Sequence, residues 1–191
     1  MVVLRTSVIA FIVFTVMLGI IYPLAMTGIA QVAFPHEANG SIVIRDGKAV
    51  GSSLIGQPFS DPKYFWSRPS ATTPFPYNAA SSSGSNLGQN NPDLSKAIGE
   101  RVSALRAVDP GNVEPIPFDL ITSSGSGLDP HISPSAALYQ VKRVARSRGV
   151  PEKDVYALLQ SHTEERQLGL LGEARVNVLM LNLALDSRVQ R

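Results

Sequence analysis

Residues 8–34 carry no charge and read VIAFIVFTVMLGIIYPLAMTGIAQVAF. A bilayer core of about 30 Å needs about 20 apolar residues at a rise of about 1.5 Å each, and residues 8–27 alone reach that length. No second run of this kind occurs in residues 36–191. The pattern therefore predicts one membrane-spanning helix over residues 8–34, preceded by a short N-terminal segment of residues 1–7.

A cleaved secretory signal is the rival interpretation of this run. Arg5 would supply the charged start of the signal, and Gly28-Ile29-Ala30 resembles a small-x-small cleavage site. The run is, however, much longer than the apolar part of a signal, about 7–15 residues, and it continues past that site to Phe34. A retained helix is favoured, and a secreted enzyme or binding protein released after Ala30 is the alternative.

Pro23 lies inside the apolar run, where it removes a backbone donor and is expected to kink or relax the helix. A membrane helix tolerates this best where a neighbouring helix covers the freed carbonyl. Gly19 and Gly28 would let such a neighbour approach, although both are also ordinary in membrane helices. The side chains that we assign to the membrane anchor are Phe11, Phe14, Leu18, Tyr22 and Pro23.

The charges on the two sides of the helix predict its orientation. Arg5 precedes the helix and Glu37 follows it, so the positive-inside tendency places the N-terminus in the cytoplasm and residues 35–191 outside. After the helix, 16 Lys and Arg face 15 Asp and Glu, a net charge of +1 that gives no reason to expect a nucleic-acid partner. The absence of cysteine excludes disulfides, thiol catalysis and Cys-zinc sites.

Turn residues and aromatics organise the first part of the segment after the helix. Residues 41–51 predict a β-hairpin, because Asp46-Gly47 supplies the positive φ angles of a tight turn between two short apolar runs. Residues 56–92 are rich in Gly, Pro, Ser and Asn and show little periodicity, which predicts a long loop. Five aromatic residues argue against simple disorder and should pack on the domain or on a partner: Tyr64, Phe65, Trp66, Phe75 and Tyr77.

Helix signals dominate the second half of the chain. Asn91-Pro92, Ser133-Pro134 and Pro151 each mark a helix start, and Asp109-Pro110-Gly111 and Gly149 mark two helix ends. The apolar stripes are Leu94, Ile98, Val102 and Leu105 on the first helix, Ala137, Leu138, Val141, Val144 and Ala145 on the second, and Val155, Leu158 and Leu159, followed by His162, on the third.

Two strands complete the prediction. Residues 116–122 predict a strand, which Pro115 and Pro117 place at a sheet edge. Residues 175–181 predict a buried strand, and the helical pattern that follows leaves the point of change between strand and helix open. We therefore predict one N-terminal transmembrane helix followed by a single extracytoplasmic α+β domain over residues 35–191.

The sequence carries little recognisable chemistry. It contains no phosphate-binding loop and no nucleophile elbow, and its three histidines lack metal-ligand spacing. The loop of residues 122–133, TSSGSGLDPHIS, is the one stretch that suggests a site. It is interpreted first as a tight self-bonded turn, second as an anion or partner contact, and third as a hydrolytic triad of Ser126, Asp129 and His131, whose closeness in sequence makes that geometry awkward.

Short motifs in a fixed order run along the whole chain. They are YPL after the apolar run, Gln31, ANGS at 38–41, GSSLIGQPF at 51–59, YFWSRPSA at 64–71, SSSGSNLG at 81–88, NP at 91–92, DLITSSGSGLDPHISP at 119–134, RVARSRG at 143–149 and RVNVLMLNLALD at 175–186. With these motifs the chain resembles, from end to end, the C subunit of the Kdp potassium-transporting ATPase. Trp66 stands where many relatives are expected to carry histidine, and Lys142 where proline is usual.

The resemblance implies a non-catalytic subunit that assembles or stabilises a high-affinity P-type potassium pump in the bacterial inner membrane. Its implied partners are a channel-like subunit that carries potassium and a P-type subunit that hydrolyses ATP through an aspartyl phosphate. The residues themselves indicate no cofactor; ATP is implied for the complex, and the family is also credited with ATP binding. The candidate partner contacts are Tyr64, Phe65, Arg68, Asn86, Asp129 and His131.

Overall fold

The computed structural model describes the backbone of residues 1–189 in two units, Met1–Val50 and a second unit that begins at Gly51. The first unit begins with helix α1, a five-residue π-helical turn, and helices α2 and α3. The hairpin of β1 and β2 follows. Its turn residues, Asp46 and Gly47, have φ angles of 51° and 74°, so the predicted hairpin is confirmed. These elements span Val2–Val16 (α1), Met17–Ile21 (the turn), Tyr22–Ala33 (α2), Pro35–Ala38 (α3), Ile42–Arg45 (β1) and Lys48–Ser52 (β2).

The helical stretch widens by one residue just before Pro23. The N–H of Tyr22 donates to the carbonyl of Met17, five residues earlier instead of four. Proline has no N–H, and its ring would clash with the carbonyl of Gly19 in a regular α-helix, which a wider turn avoids. The predicted disturbance at Pro23 therefore takes the form of a π turn, and the helix continues beyond it to Ala33.

The second unit combines helices with a small antiparallel sheet, and the α+β class is confirmed. The sheet has the order β3-β5-β4, with His131 opposite Asn177 and Thr163 opposite Val176. Helix α5 packs on α6, and α6 packs on α7. The elements are α4 Pro92–Val108, β3 His131–Ile132, α5 Pro134–Arg148, α6 Glu152–Ser161, β4 Thr163–Glu164, β5 Arg175–Asn177 and α7 Val178–Val189, with short 3₁₀ turns at Ala79–Ser81 and Phe118–Leu120.

The predicted helix ends are confirmed by the contacts of their side chains and backbone. The side chain of Asn91 accepts a hydrogen bond from the N–H of Asp93 at 2.8 Å and caps α4. The hydroxyl of Ser133 accepts one from the N–H of Ala136 at 3.1 Å and caps α5, which ends at Gly149 with a φ of 66°.

One predicted strand is wrong and another is confirmed only in part. Residues 116–122 contain the 3₁₀ turn Phe118–Leu120 instead of a strand: Leu120 and Thr122 donate backbone N–H groups to the carbonyls of Pro117 and Phe118. The strand predicted over residues 175–181 is confirmed over Arg175–Asn177, and it ends there because the side chain of Asn177 accepts the N–H of Met180 and so starts α7. Leu138, assigned to the apolar stripe of α5, is 52% exposed.

A single apolar core holds the second unit together. It lies between α5, α6, α7 and the sheet, and it receives Phe65 and Trp66 from the long loop. Burial of a large apolar side chain contributes about 1.5–3 kcal/mol. The fully buried large residues of this core include Phe65, Leu105, Leu120, Leu159, Leu181, Val144, Val155, Val176 and Val178.

Candidate functional site

Two buried amide side chains hold the loop that carries the candidate contact residues. Asn182 accepts from the N–H of Phe65 at 2.9 Å and donates to its carbonyl at 3.0 Å. Gln140 does the same for Trp66, at 2.8 and 3.2 Å. Each amide replaces the partner that a neighbouring strand would provide, so an irregular backbone is buried with its polar groups satisfied.

Phe65 consequently belongs to the core and not to a contact surface. Its exposed fraction is 0%, so its side chain cannot anchor a partner on the folded unit, and we withdraw it from the candidate contacts. Neighbouring Tyr64 is partly exposed. Its hydroxyl donates to Asp186 at 3.0 Å, and the guanidinium of Arg148 lies 4.9 Å from the centre of its ring. Burial and the adjacent carboxylate both raise the pKa of Tyr64.

Trp66 lies between two arginines that the sequence did not single out. The guanidinium carbons of Arg101 and Arg143 are 5.2 and 5.0 Å from the centre of its ring, a cation–π arrangement. Arg143 donates to Gln140 at 2.6 Å and to the carbonyl of Pro62, and burial lowers its pKa to about 10. The position of Arg143 between two buried valines of α5 does not predict these contacts, because Trp66 and Pro62 lie far from it in the sequence.

Arg68, Asp129 and His131, three of the candidate contact residues, do come together. The guanidinium of Arg68 lies 3.3 Å from one carboxylate oxygen of Asp129, and Nδ1 of His131 lies 3.4 Å from the other. Burial disfavours the charged form of Asp129, but hydrogen bonds from His131 and the charge of Arg68 outweigh this effect and lower its pKa. The three side chains are 22–30% exposed and border a groove of about 600 Å³.

The other features of loop 122–133 match a tight structural turn. The backbone carbonyl of Ser126 accepts from the N–H and from the hydroxyl of two serines in the motif of residues 81–88, each at 3.0 Å. A Cβ at Gly127 would lie 2.5 Å from the carbonyl of Ser83, so the close approach of these loops requires glycine there. Asn86, the remaining candidate contact, is exposed in the same motif, with a φ of 53°.

The geometry does not assemble the hydrolytic triad considered from sequence. The hydroxyl of Ser126 accepts the N–H of Leu128 at 3.1 Å, and His131 turns to Asp129, which Arg68 already neutralises. A nucleophilic serine needs its hydroxyl bonded to the histidine base. Within residues 1–189, moreover, no group of three His, Asp or Glu side chains is arranged to hold a metal ion.

In the first unit, the side chains predicted to anchor the helix in a membrane are exposed. Phe11, Phe14, Leu18 and Tyr22 are each more than half exposed, and no residue of the helical stretch Val2–Ala33 is buried inside the structure. By its 32 residues and its composition, this stretch is able to cross a membrane. A helix that is apolar on all sides is suited to a lipid environment.

A groove that was not predicted lies beside α5 and α6. It has a volume of about 560 Å³, and its floor is mainly apolar. Leu138 lines this groove together with Tyr156, which is why this position of the α5 stripe is exposed. Lys142, the second departure from the expected family pattern, also lines the groove.

Comparison with known proteins gives one consistent answer. Residues 4–187 match the family model described as K+-transporting ATPase, c chain. The chain is 62% identical over 184 residues to the potassium-transporting ATPase KdpC subunit of Dechloromonas aromatica, covering 96% of each chain. It is 59% identical to that of Sorangium cellulosum over 96% of each chain, and 60% identical to that of Polaromonas naphthalenivorans over 97% of this chain and 94% of the relative. These matches do not favour the alternative of a secreted enzyme.

Proposed function

Because the chain belongs to the family of the K+-transporting ATPase c chain, we propose that it is the non-catalytic subunit that assembles and stabilises a P-type potassium pump. The observation that carries the proposal is the match over nearly the full chain to subunits of such a pump. The structure supports it in two ways. Among the described residues, the hydroxyl of the candidate nucleophile Ser126 is not hydrogen-bonded to a base. The apolar helix has no buried residue and is therefore exposed for contact with other subunits.

The proposed topology follows from the ends of the helix. We place the N-terminus in the cytoplasm, the helix in the bacterial inner membrane, and the second unit on the outer side. Arg5 near the start of the helical stretch Val2–Ala33 and Glu37 after its end support this orientation. The proposed partners are the potassium-conducting subunit and the ATP-hydrolysing subunit, with ATP bound by the latter. The absence of a phosphate-binding loop from the sequence and the net charge of +1 after the helix support this assignment of ATP.

Depletion of the chain from cells tests the assembly role. We expect the amount of intact complex, measured on native gels, to fall strongly, while the potassium-stimulated ATPase activity per remaining complex stays unchanged. Re-expression of the wild-type chain should restore the amount. An unchanged amount of complex with lower activity per complex would instead indicate a part in catalysis and would contradict the proposal.

A further inference from the structure

Three leucines stand exposed at the tip of the hairpin between β4 and β5. Leu168, Leu170 and Leu171 are 92%, 82% and 60% exposed. No other three large apolar side chains that are this exposed lie so close in sequence among the described residues from Gly51 onwards. A concentrated apolar group on a surface marks an interaction site, whereas single exposed apolar residues do not.

The tip is held in one conformation by its own backbone. Gln167 and Leu171 exchange N–H and carbonyl groups, both at 2.9 Å, and the N–H of Gly169 donates to Arg166 at 3.0 Å. Leu168 and Gly169 have positive φ angles of 54° and 73°, which close the turn and direct the chain back. An ordered tip loses little conformational freedom when it docks, so its leucines are prepared for binding.

Ion pairs join the two sides of the stem below the tip. Arg166 contacts Glu173 at 2.5 Å, and Arg175 contacts Glu164 at 2.9 Å. Glu165 adds a further acid, so the stem carries three acidic and two basic residues. An apolar centre with a charged rim is the usual composition of a protein–protein interface.

The stem charges distinguish a protein partner from a lipid surface. Elements that bind bacterial membranes carry Lys and Arg for the anionic headgroups, and Trp or Tyr for the interface. The segment of residues 163–175 has no aromatic residue, and both of its basic residues are paired with glutamates. The excess of acid fits a pocket whose rim is basic.

We propose that the tip, Leu168, Leu170 and Leu171, docks into an apolar pocket with a basic rim on another subunit of the pump. This inference rests on the proposed function, because it requires the chain to work inside a complex. It adds an interface of stated chemistry, formed by a hairpin that the sequence pattern does not predict.

The test compares two matched pairs of substitutions in the full, tagged chain, co-expressed with the other subunits and purified in detergent. The test variant is Leu168→Asn with Leu170→Ser, since asparagine tolerates the positive φ at position 168. The control is Leu54→Ser with Val113→Ser, whose side chains are 59% and 84% exposed elsewhere. We expect the test variant to recover about tenfold less partner subunit, with an unchanged Tm of the lone chain, and the control to recover as much as wild type.

Each other result overturns the inference. Equal recovery of partner subunit by the wild type and the test variant would refute docking by the tip. A wild-type chain that recovers no partner subunit would refute the proposed function as well. A single-cysteine variant, Leu168→Cys, labelled with an environment-sensitive dye, distinguishes a lipid surface or a second copy of the chain from a partner subunit. A spectral shift in vesicles of phosphatidylethanolamine and phosphatidylglycerol with the lone chain would show a lipid site, and a disulfide-linked dimer of the same variant without the dye would show a second copy. A shift only in the presence of the partner subunits supports the proposal.

Discussion

At the scale of single residues, a few buried polar side chains decide how the long loop is used. Asn182 and Gln140 capture the backbone of Phe65 and Trp66, and Arg143 donates both to Gln140 and to the loop at Pro62. Each of these contacts satisfies a buried polar group, so the loss of one leaves its partner without a hydrogen bond. The loop therefore packs as part of the core, although it contains few regular elements.

Replacing Phe65 by alanine should be strongly destabilising. The side chain is fully buried, and removing a core aromatic costs about 3–5 kcal/mol of unfolding free energy. The matched control is Phe118→Ala, since Phe118 is 73% exposed and surface changes stay within about 0.5 kcal/mol. Thermal and urea unfolding of the full chain in mild detergent measure both. Equal stability of the two variants would contradict the placement of Phe65 in the core.

Asp129 should make stability depend on pH in the acid range. Its folded-state pKa is lowered, so its charged form stabilises the fold at pH values above the unfolded pKa of about 3.9. This contribution is lost as the pH falls through the folded pKa. We expect Asp129→Asn to have a lower Tm than wild type at pH 5 and the gap to close as the pH falls below about 3.9. A gap that stays constant from pH 5 to pH 3 would contradict this.

At the scale of elements, helix caps that act within a few residues can be predicted from the sequence, whereas contacts between distant residues cannot. The caps at Asn91 and Ser133 act within three residues, so the sequence revealed the helices they start. The strand predicted over residues 116–122 is wrong because the backbone there bonds locally and forms a 3₁₀ turn. The pairing of Asn182 with Phe65 spans 117 residues and has no signature along the chain.

The cap of α5 offers a direct test at this scale. Ser133→Ala removes the acceptor of the Ala136 N–H and should cost about 1 kcal/mol, within a range of about 0.5–2. Ser103→Ala, an exposed position within α4, is the matched control and should change stability by less than about 0.5 kcal/mol. Both are measured from the urea midpoint at constant m-value. A loss at Ser103 as large as that at Ser133 would show that the cap is not the cause.

The helical stretch Val2–Ala33 should fail to insert when a charge is placed at its middle. Leu18→Arg is expected to cost about 2.5–3.5 kcal/mol of insertion free energy and to move the chain out of the membrane fraction. Leu18→Ile keeps the apolar character and should insert as wild type does. Mass spectrometry of the wild-type chain should find the N-terminus before the helix. A mature chain that starts at Gln31 would instead show a cleaved signal.

At the scale of the whole molecule, the two units have different surroundings. The first presents apolar side chains along its helical stretch and buries none of them, as a lipid environment or partner helices require. The second has its own core, with its buried polar groups largely paired. The family could be recognised from the sequence because its motifs lie along the whole chain. The apolar tip could not, since leucines near glycines in a sequence do not reveal that a turn exposes them.

The second unit is expected to lie on the outer side of the membrane. Ser82 is exposed in that unit, and the chain has no native cysteine, so Ser82→Cys gives a single labelling site. Since Arg5 lies near the start of the helical stretch, we expect an impermeant maleimide to label this cysteine on intact cells once the outer membrane is permeable. The matched control is Leu4→Cys, 70% exposed at the other end of the helix, which should react only after the inner membrane is opened. The reverse pattern would place the second unit in the cytoplasm, where it would meet ATP.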